Sequence, residues 1–222
     1  MTSLSVQNCL NRLPLPILNL CNALEEKCPS TAAHCRRVGA TALELATFSY
    51  RFDEDQLCSI FQSGYLHDIG KLAVPMAILD KPSRLSEAEW EVIRSSVLCG
   101  ESLLKPFLQP GDPVLDAVRH EHERWDGAGY PDGLYGEQIP VASRIVHIAD
   151  TLDALRIRTA YRLAKGQSER FQVLAEGAGG QFDPEWVELA LRLWSNRRSA
   201  APRRKGVSSS VPIAHNNRDL AF

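Results

Sequence analysis

The sequence predicts an all-α protein, a bundle of about seven helices enclosing a candidate metal site. Apolar residues recur at the three- and four-residue spacing of helices along most of the first 195 residues, and strand-like runs are scarce. Histidines and acidic residues of the kind that bind metals fall on several of these predicted helices, far apart in the chain. A helical bundle is an architecture that brings such side chains together in its interior.

Composition and charge narrow the class of protein. The 222 residues suffice for one domain with a substantial core, and the net charge of −2 argues against a nucleic-acid polymer as partner. The six cysteines contain no CxxC pair, and the chain shows neither a cleavable apolar leader nor a run of about 20 apolar residues. We therefore expect a soluble, cytoplasmic protein with reduced thiols that does not enter a membrane.

The first three predicted helices follow an N-terminal extension, in which prolines at positions 14 and 16 hinder an early helix. An amphipathic helix is expected over residues 17–26, and a buried helix of about four turns starts near Pro29 and carries His34. A third helix, over residues 53–65, has apolar residues on one face and delivers His67 and Asp68 at its carboxyl end.

The remaining four helices have clear start signals. Ser86 and Glu89 form a capping box that predicts a helix to about residue 105. A short helix follows the prolines and glycine of residues 106–113 and leads into the run HEHE at 120–123. Proline at position 140 begins a helix to about residue 155, and Asp183 followed by proline begins a last helix that ends near Trp194.

The stretch LHDIGK at residues 66–71 holds the clearest chemical signal. An adjacent His67 and Asp68 supply an imidazole and a carboxylate, a pair that divalent transition metals accept. Gly70 lacks a side chain, so we expect a phosphate to approach the backbone there, and Lys71 adds an ammonium group close by. The combination suits phosphoryl transfer, although a histidine at a helix end is more often an inert, hydrogen-bonded residue.

Other candidate residues are ambiguous when each is taken alone. His34 fits a surface or capping role as well as metal ligation, and Asp150 fits a hydrogen-bonded structural aspartate equally well. Asp153 is expected to be structural. The basic residues around Arg158 and Arg162 read most simply as a solvated helix face. Residues 124–134 contain too much glycine for a helix or a strand, so we expect a structured loop there.

The order of these residues resembles the HD superfamily of metal-dependent phosphohydrolases, and HDIGK at 67–71 looks like its HD-GYP branch. The string HERWDGAGYPDGL at 122–134, which includes Gly129, Tyr130 and Pro131, is nearly the full signature of that branch. The resemblance predicts an HD-domain helical bundle with a GYP loop. It assigns residues 20–195 to the domain and leaves residues 1–19 as an N-terminal extension. The composition of residues 196–222, rich in arginine, serine, alanine and proline, predicts a disordered basic, serine-rich tail.

The resemblance implies a cyclic di-GMP phosphodiesterase that makes pGpG or GMP with the help of two divalent metal ions, manganese or iron, with magnesium as an alternative. By position, the residues of the first metal site are His34, His67, Asp68 and Asp150, and Asp68 bridges to a second ion. Lys71 would neutralise the substrate phosphate or assist the leaving oxygen, and Arg162 would contact the phosphate. His120 and His147 match no ligand, so alanine at either should spare metal binding.

Four positions depart from the family pattern. Ser96 stands where the family has a histidine ligand of the second ion, and Glu121 replaces the first histidine ahead of His122. Thr159 stands at a substrate-side arginine position, for which the adjacent Arg158 is a candidate substitute. Ser30 replaces the glutamate of members with three metals, so we expect no third ion.

These departures leave three hypotheses open. In the first, the protein is an active phosphodiesterase whose second ion is held by Asp68, Glu121 and His122, a set that favours manganese or magnesium over iron. In the second, it is a degenerate domain that binds a signalling partner such as a GGDEF-type cyclic di-GMP synthase. A weaker alternative is an HD phosphohydrolase for another nucleotide. A homodimer is compatible with each.

Overall fold

The computed structural model describes residues 4–156 and 164–200, with side chains described up to residue 195. The helices of these residues are α1 Val6–Leu10, α2 Leu15–Lys27, α3 Pro29–Ser49, α4 Glu54–Leu66, α5 Met76–Leu79, α6 Glu87–Arg94, α7 Ser96–Leu104, α8 Pro113–His120, α9 Val141–Ala154, α10 Gln167–Gly177 and α11 Pro184–Ala200. Two 3-10 helices span Ile69–Ala73 and Gly136–Gln138. The described ranges contain no strand beyond one isolated bridge, so the predicted all-α class is confirmed. None of their helices combines the length and apolar character needed to cross a membrane.

The described helices outnumber the expected seven because α1, α5 and α10 were not predicted and one predicted helix is divided. The segment from residue 86 to 105 breaks at Ser95 into α6 and α7. There the hydroxyl of Ser95 donates to the carbonyl of Val92, and that of Ser96 donates to Ile93. Such back-bonding competes with the regular helical ladder. The predicted capping box of Ser86 and Glu89 is present at the start of α6.

Helix α3 is central, because it packs against α4, α9, α2 and α11. Its buried face, which includes Val38, Ala42 and Leu45, joins the apolar face of α9 in the larger hydrophobic cluster. A second cluster around Leu66 and Ile69 lies beneath the end of α4. Helix α8 packs against both α4 and α9, so the ends of α4 and α8 meet beside α3 and α9.

The N-terminal helix α1 packs on α4, and Cys9 forms a disulfide with Cys58, their Cα atoms 4.9 Å apart. The expectation of six reduced thiols is therefore wrong for this pair. The two cysteines are 49 residues apart, and only the packing of α1 on α4 brings them together. The four free cysteines are Cys21, Cys28, Cys35 and Cys99.

Gly70 has a different role from the one expected. A Cβ atom at this residue would lie 1.8 Å from the carbonyl oxygen of Ser96 and 2.6 Å from the amide nitrogen of Gly100. The expectation that Gly70 leaves room for a phosphate is therefore wrong. Glycine is needed here because the 3-10 helix after His67 and Asp68 lies directly against the backbone of α7.

This close contact makes Gly70→Ala a sensitive test of the packing. We expect the substitution to lower the free energy of unfolding of the metal-free protein by about 3 kcal/mol, because backbone atoms of α7 must move. Gly166→Ala is the control, since a Cβ there would meet only the carboxylate end of Glu169, at 3.3 Å. Urea denaturation followed by circular dichroism measures both. Equal, small losses would contradict the described contact.

Candidate metal centre

His34, on α3, lies between three carboxylates. Its Nε2 atom is 3.0 Å from Oδ1 of Asp150 and 3.9 Å from Oδ2 of Asp68. Its Nδ1 atom is 2.8 Å from Oδ2 of Asp153. Burial opposes a positive charge on this ring, but the hydrogen bonds to Asp150 and Asp153 outweigh it and raise the pKa of His34 to about 9. The metal-free ring is therefore protonated at neutral pH, and metal binding has to release that proton.

His67 follows the last residue of α4 and presents one nitrogen to the same place. Its Nδ1 atom donates to the carbonyl of Gly64 at 2.8 Å, which leaves Nε2 as the nitrogen that faces the cluster. That Nε2 atom is buried, 3.3 Å from Oδ2 of Asp68, and has no hydrogen-bond partner within the described part of the chain. Burial opposes a positive charge on this ring, but the neighbouring Asp68 carboxylate outweighs it and raises the pKa of His67 well above its usual value. A metal ion bound at Nε2 therefore has to displace a proton there.

The ligand atoms of His34, His67 and Asp68 lie within 4.8 Å of one another, so the three residues could hold a metal ion. Two imidazoles and a carboxylate form a donor set that suits divalent transition metals. Asp150, beside His34, offers a second carboxylate. The structure thus brings together the four side chains of the predicted first site, and their residue types fit a metal ion. Metal ligation itself stays a prediction.

The carboxylates of this cluster are held in the ionised form. Burial favours neutral Asp68, but the ammonium group of Lys71 and the ring of His67 outweigh it and hold the pKa of Asp68 well below its usual range. Burial also favours neutral Asp150, yet the hydrogen bond with His34 keeps its pKa low. Two negative charges, one buried on Asp68 and one partly buried on Asp150, therefore lie at the candidate site, an arrangement that attracts a cation.

Asp153 orients His34, a role that sequence reasoning missed. Its side chain is 3% exposed, accepts a hydrogen bond from His34, and accepts two more at 2.8 Å from Nε and Nη2 of Arg37. A carboxylate behind a ligating histidine fixes the ring orientation. The spacing in the sequence could have indicated this role. Asp153 lies three residues after Asp150, and Arg37 lies three residues after His34, so each lies on the same helix face as the candidate ligand before it.

Lys71 is held close to Asp68 by the 3-10 helix that separates them. Its Nζ atom donates to Oδ2 of Asp68 at 2.7 Å, and this contact outweighs burial to raise the pKa of the ammonium group. Lys27, which the sequence did not single out, donates to the carbonyls of Lys71, Leu72 and Val74 at 3.3, 2.7 and 2.7 Å. Lys27 thereby caps the 3-10 helix and fixes the segment that presents Lys71.

Glu121 and His122 follow the end of α8. The Glu121 carboxylate is 3% exposed, and within the described chain its Oε2 atom is buried without a hydrogen-bond partner. Burial raises the pKa of Glu121 to about 8; His67 opposes this shift, and Asp68 adds to it. Glu121 therefore interacts with the first cluster, as a ligand for a second ion must. The ring of His122 is 3.6 Å from Glu121, and desolvation lowers its pKa to about 4, which keeps it neutral.

Ser96 supplies no ligand atom. Its side chain is buried, and its hydroxyl donates to the carbonyl of Ile93 at 2.6 Å. Arg158 and Arg162, predicted to contact the substrate phosphate, lie outside the described residues, as does Thr159. Among the described residues, only His34, His67 and Asp68 form a group with ligand atoms within 4.8 Å of one another, and Glu121 and His122 are not part of it. A second site formed by Asp68, Glu121 and His122 therefore stays a prediction.

The GYP loop is a structured loop, as predicted, that folds back over its own start. The amide of Tyr130 donates to the carbonyl of His122 at 3.3 Å, and the two rings lie 5.0 Å apart. The peptide bond between Tyr130 and Pro131 is cis. Glycine is required at 129, because a Cβ there would lie 2.4 Å from the amide nitrogen of Arg124. Tyr130 is thereby placed beside the candidate ligand His122.

A family model described as "HD domain" matches residues 19–186. The chain belongs to the HD domain family. Its relatives include 3'3'-cGAMP-specific phosphodiesterase 2 of Vibrio cholerae, 36% identical over 80% of this chain and 34% of the relative. The cyclic di-GMP phosphodiesterase response regulator RpfG of Xanthomonas campestris is 38% identical over 78% of this chain and 46% of the relative. A cyclic di-GMP phosphodiesterase of Thermotoga maritima is 34% identical over 87% of this chain and 53% of the relative.

These relatives confirm the predicted HD-GYP assignment, and the chain spans about a third to a half of their lengths. Solved structures agree on the fold. A cyclic GMP-AMP-specific phosphodiesterase of V. cholerae matches 81% of this HD-GYP chain and 48% of its own, with a TM-score of 0.58 at 20% identity. The HD domain of PgpH from L. monocytogenes, in complex with cyclic-di-AMP, matches 85% of this chain and 100% of its own, with a TM-score of 0.59 at 16% identity.

The contact between Asp153 and His34 predicts that Asp153→Asn weakens metal binding. We expect the affinity for the first Mn²⁺ ion to fall about tenfold, because the ring loses the carboxylate that orients it. Isothermal titration calorimetry measures the affinity, and Asp116→Asn on the exposed face of α8 is the control. Unchanged affinity in Asp153→Asn would show that this contact does not support the site.

Proposed function

We propose that this HD-GYP domain is a metal-dependent phosphodiesterase that hydrolyses cyclic di-GMP to pGpG, GMP or both. The observation that carries the proposal is the meeting of the ligand atoms of His34, His67 and Asp68 within 4.8 Å, beside Asp150 and Lys71. We take residues 20–195 as the domain, preceded by an extension and followed by a tail from 196 to 222.

Two divalent ions fit the available donors. The first would be held by His34, His67, Asp68 and Asp150, and the second by Asp68, Glu121 and His122. Bound ions of this kind lower the pKa of water and stabilise charge on a phosphoryl oxygen. Glu121 in place of an imidazole makes the second set rich in oxygen, so we propose manganese or magnesium rather than iron there.

The side chains of the protein have separate tasks in this proposal. The ammonium group of Lys71, fixed by Asp68, faces the substrate phosphate and stabilises charge on it or on the leaving oxygen. Tyr130 covers His122 and shields that side of the site from water. Arg162 and Arg158, outside the described residues, are proposed to bind the substrate phosphate.

The choice of substrate rests on the relatives, whose names include both cyclic di-GMP and 3'3'-cGAMP phosphodiesterases. These compounds share a ring closed by two phosphodiesters and differ in a base. We propose cyclic di-GMP as the substrate and the cytoplasm as the compartment. A GGDEF-type synthase domain is a proposed protein partner, and a homodimer is a proposed assembly.

One observation favours the alternative, a degenerate domain that binds a partner without catalysis. The hydroxyl of Ser96 donates to the carbonyl of Ile93, and serine stands where the family has a histidine ligand. The second site therefore has one imidazole ligand fewer than the family pattern provides. In this alternative the first metal braces the bundle, and the GYP loop contacts a signalling protein. The number of metal ions bound per chain distinguishes the two functions.

Metal analysis and a turnover assay test the proposal together. We expect about two metal ions per chain and conversion of cyclic di-GMP to pGpG, with slower turnover of 3'3'-cGAMP and cyclic di-AMP. Lys71→Met should retain both ions and lose at least about a hundredfold in kcat, because the phosphate charge is no longer neutralised. One ion per chain and no turnover, with manganese and with anaerobic iron, would exclude the enzyme.

Restoring the family residue tests the assignment of the second site. We expect Ser96→His to raise the affinity for the second ion and the rate, since it adds an imidazole ligand. Ser96→Leu is the control of similar bulk without a ligand atom. Calorimetry with Mn²⁺ and the turnover assay provide the measurements. If the histidine variant behaves like the leucine variant, position 96 does not belong to the metal site.

A further inference from the structure

His147 is a buried histidine outside the proposed ligand sets. It lies on α9, one turn before Asp150, and is 9% exposed. Its Nδ1 atom is 3.0 Å from the carbonyl oxygen of Glu123, and its Nε2 atom is 3.0 Å from the amide nitrogen of the Gln181 side chain. The ring packs edge-on against Phe182, with centroids 5.0 Å apart.

The partners of His147 determine its protonation. The carbonyl of Glu123 can only accept a hydrogen bond, so Nδ1 carries the proton. The amide nitrogen of Gln181 can only donate, so Nε2 accepts. Burial lowers the pKa of His147, in agreement with a neutral ring. Both nitrogens are therefore engaged in complementary hydrogen bonds, and the ring is fixed in one tautomer and one orientation.

Glu123 is the residue at which the two limbs of the GYP loop meet. It directly follows the candidate ligand His122, and its Oε1 atom accepts a hydrogen bond at 2.7 Å from the amide of Asp132, on the returning limb. The loop is also joined to the turn before α11, because the amide of Trp125 donates to the carbonyl of Gln181 at 3.2 Å. His147 connects both of these features to the helix that carries Asp150.

We infer that His147, held by Gln181, is a positioning residue that fixes the start of the GYP loop, and with it Glu121 and His122, relative to Asp150. This inference rests on the proposed function, because it assigns His147 to support of the second metal ion. It also replaces the expectation that alanine at position 147 spares metal binding. Loss of the ring would free the carbonyl of Glu123 and leave the side chain of Gln181 without its acceptor.

Three variants separate the two hydrogen bonds. His147→Ala removes both of them. His147→Asn keeps an amide donor near the position of Nδ1, so it should still bond the carbonyl of Glu123. Gln181→Met keeps the length of the side chain and removes only the donor to Nε2. The last variant also tests the inference if His147→Ala fails to fold.

Hydrogen exchange on the metal-free protein is the first measurement. We expect peptides covering residues 122–136 to exchange about tenfold faster in His147→Ala than in the wild type, the effect of losing one buried hydrogen bond. Gln181→Met should show a smaller increase in the same peptides, and His147→Asn should exchange like the wild type. Peptides of α3 should be unchanged in all variants. The inference would be overturned if the loop peptides of His147→Ala exchanged at the wild-type rate. If the alanine variant does not fold, the same result in Gln181→Met would overturn it.

Calorimetric titration with Mn²⁺ is the second measurement. His147→Ala should bind the second ion about tenfold more weakly and the first ion as the wild type does, and His147→Asn should restore the second affinity. The assignment would be overturned if His147→Ala bound the second ion as tightly as the wild type does. It would also be overturned if His147→Asn failed to restore the affinity for that ion. A wild-type protein that turns over no cyclic dinucleotide contradicts the proposed function, whereas the exchange experiment decides the positioning of the loop independently.

Discussion

The structure depends on a set of negative charges buried between α3, α4 and α9. Buried Asp68 and partly buried Asp150 both lie within 4 Å of one nitrogen of His34, and two carboxylates so placed are costly unless cations accompany them. The metal-free protein supplies Lys71 and the protonated ring of His34. Asp153, with its bidentate partner Arg37, then holds that ring in place. The packing of the central helices therefore brings negative charges together that must be compensated. A divalent cation would also compensate them.

Glu121 places another carboxyl group near these charges. Its burial, and the neighbouring carboxylates of Asp68 and Asp150, raise the pKa of Glu121 to about 8, so the metal-free protein holds this side chain mostly protonated at neutral pH. A second divalent ion would allow Glu121 to ionise beside Asp68. Ser96, by contrast, lacks an imidazole and donates its hydroxyl proton to a carbonyl of the preceding helix. Lys71 and the residues of the first site favour an enzyme, and Ser96 favours a degenerate domain, so the number of bound ions carries more weight than any one residue.

Much of the fold followed from local patterns in the sequence. Helical spacing and the end of α4 placed His67 and Asp68 correctly at a helix terminus, and glycine content identified the loop after His122. The capping box at Ser86 was also found where the sequence placed it. These features are recoverable because caps, periodicity and turn residues act between neighbours in the chain.

The features that the sequence missed depend on contacts between distant segments. Gly70 is required by the backbone of α7, and Cys9 meets Cys58 only because α1 returns to α4. His147 was expected to be a structural or surface residue because it matches no ligand of the family pattern. Its hydrogen bonds could not be predicted, since its partners, the carbonyl of Glu123 and the side chain of Gln181, are 24 and 34 residues away.

The central claim is that side chains from α3, the end of α4 and α9 bind a common cation. Anomalous diffraction from crystals grown with Mn²⁺ tests it most directly. The account predicts a strong manganese peak within bonding distance of Nε2 of His34, Nε2 of His67 and carboxylate oxygens of Asp68 and Asp150. Manganese bound elsewhere, with these four side chains keeping their direct hydrogen bonds to one another, would contradict it.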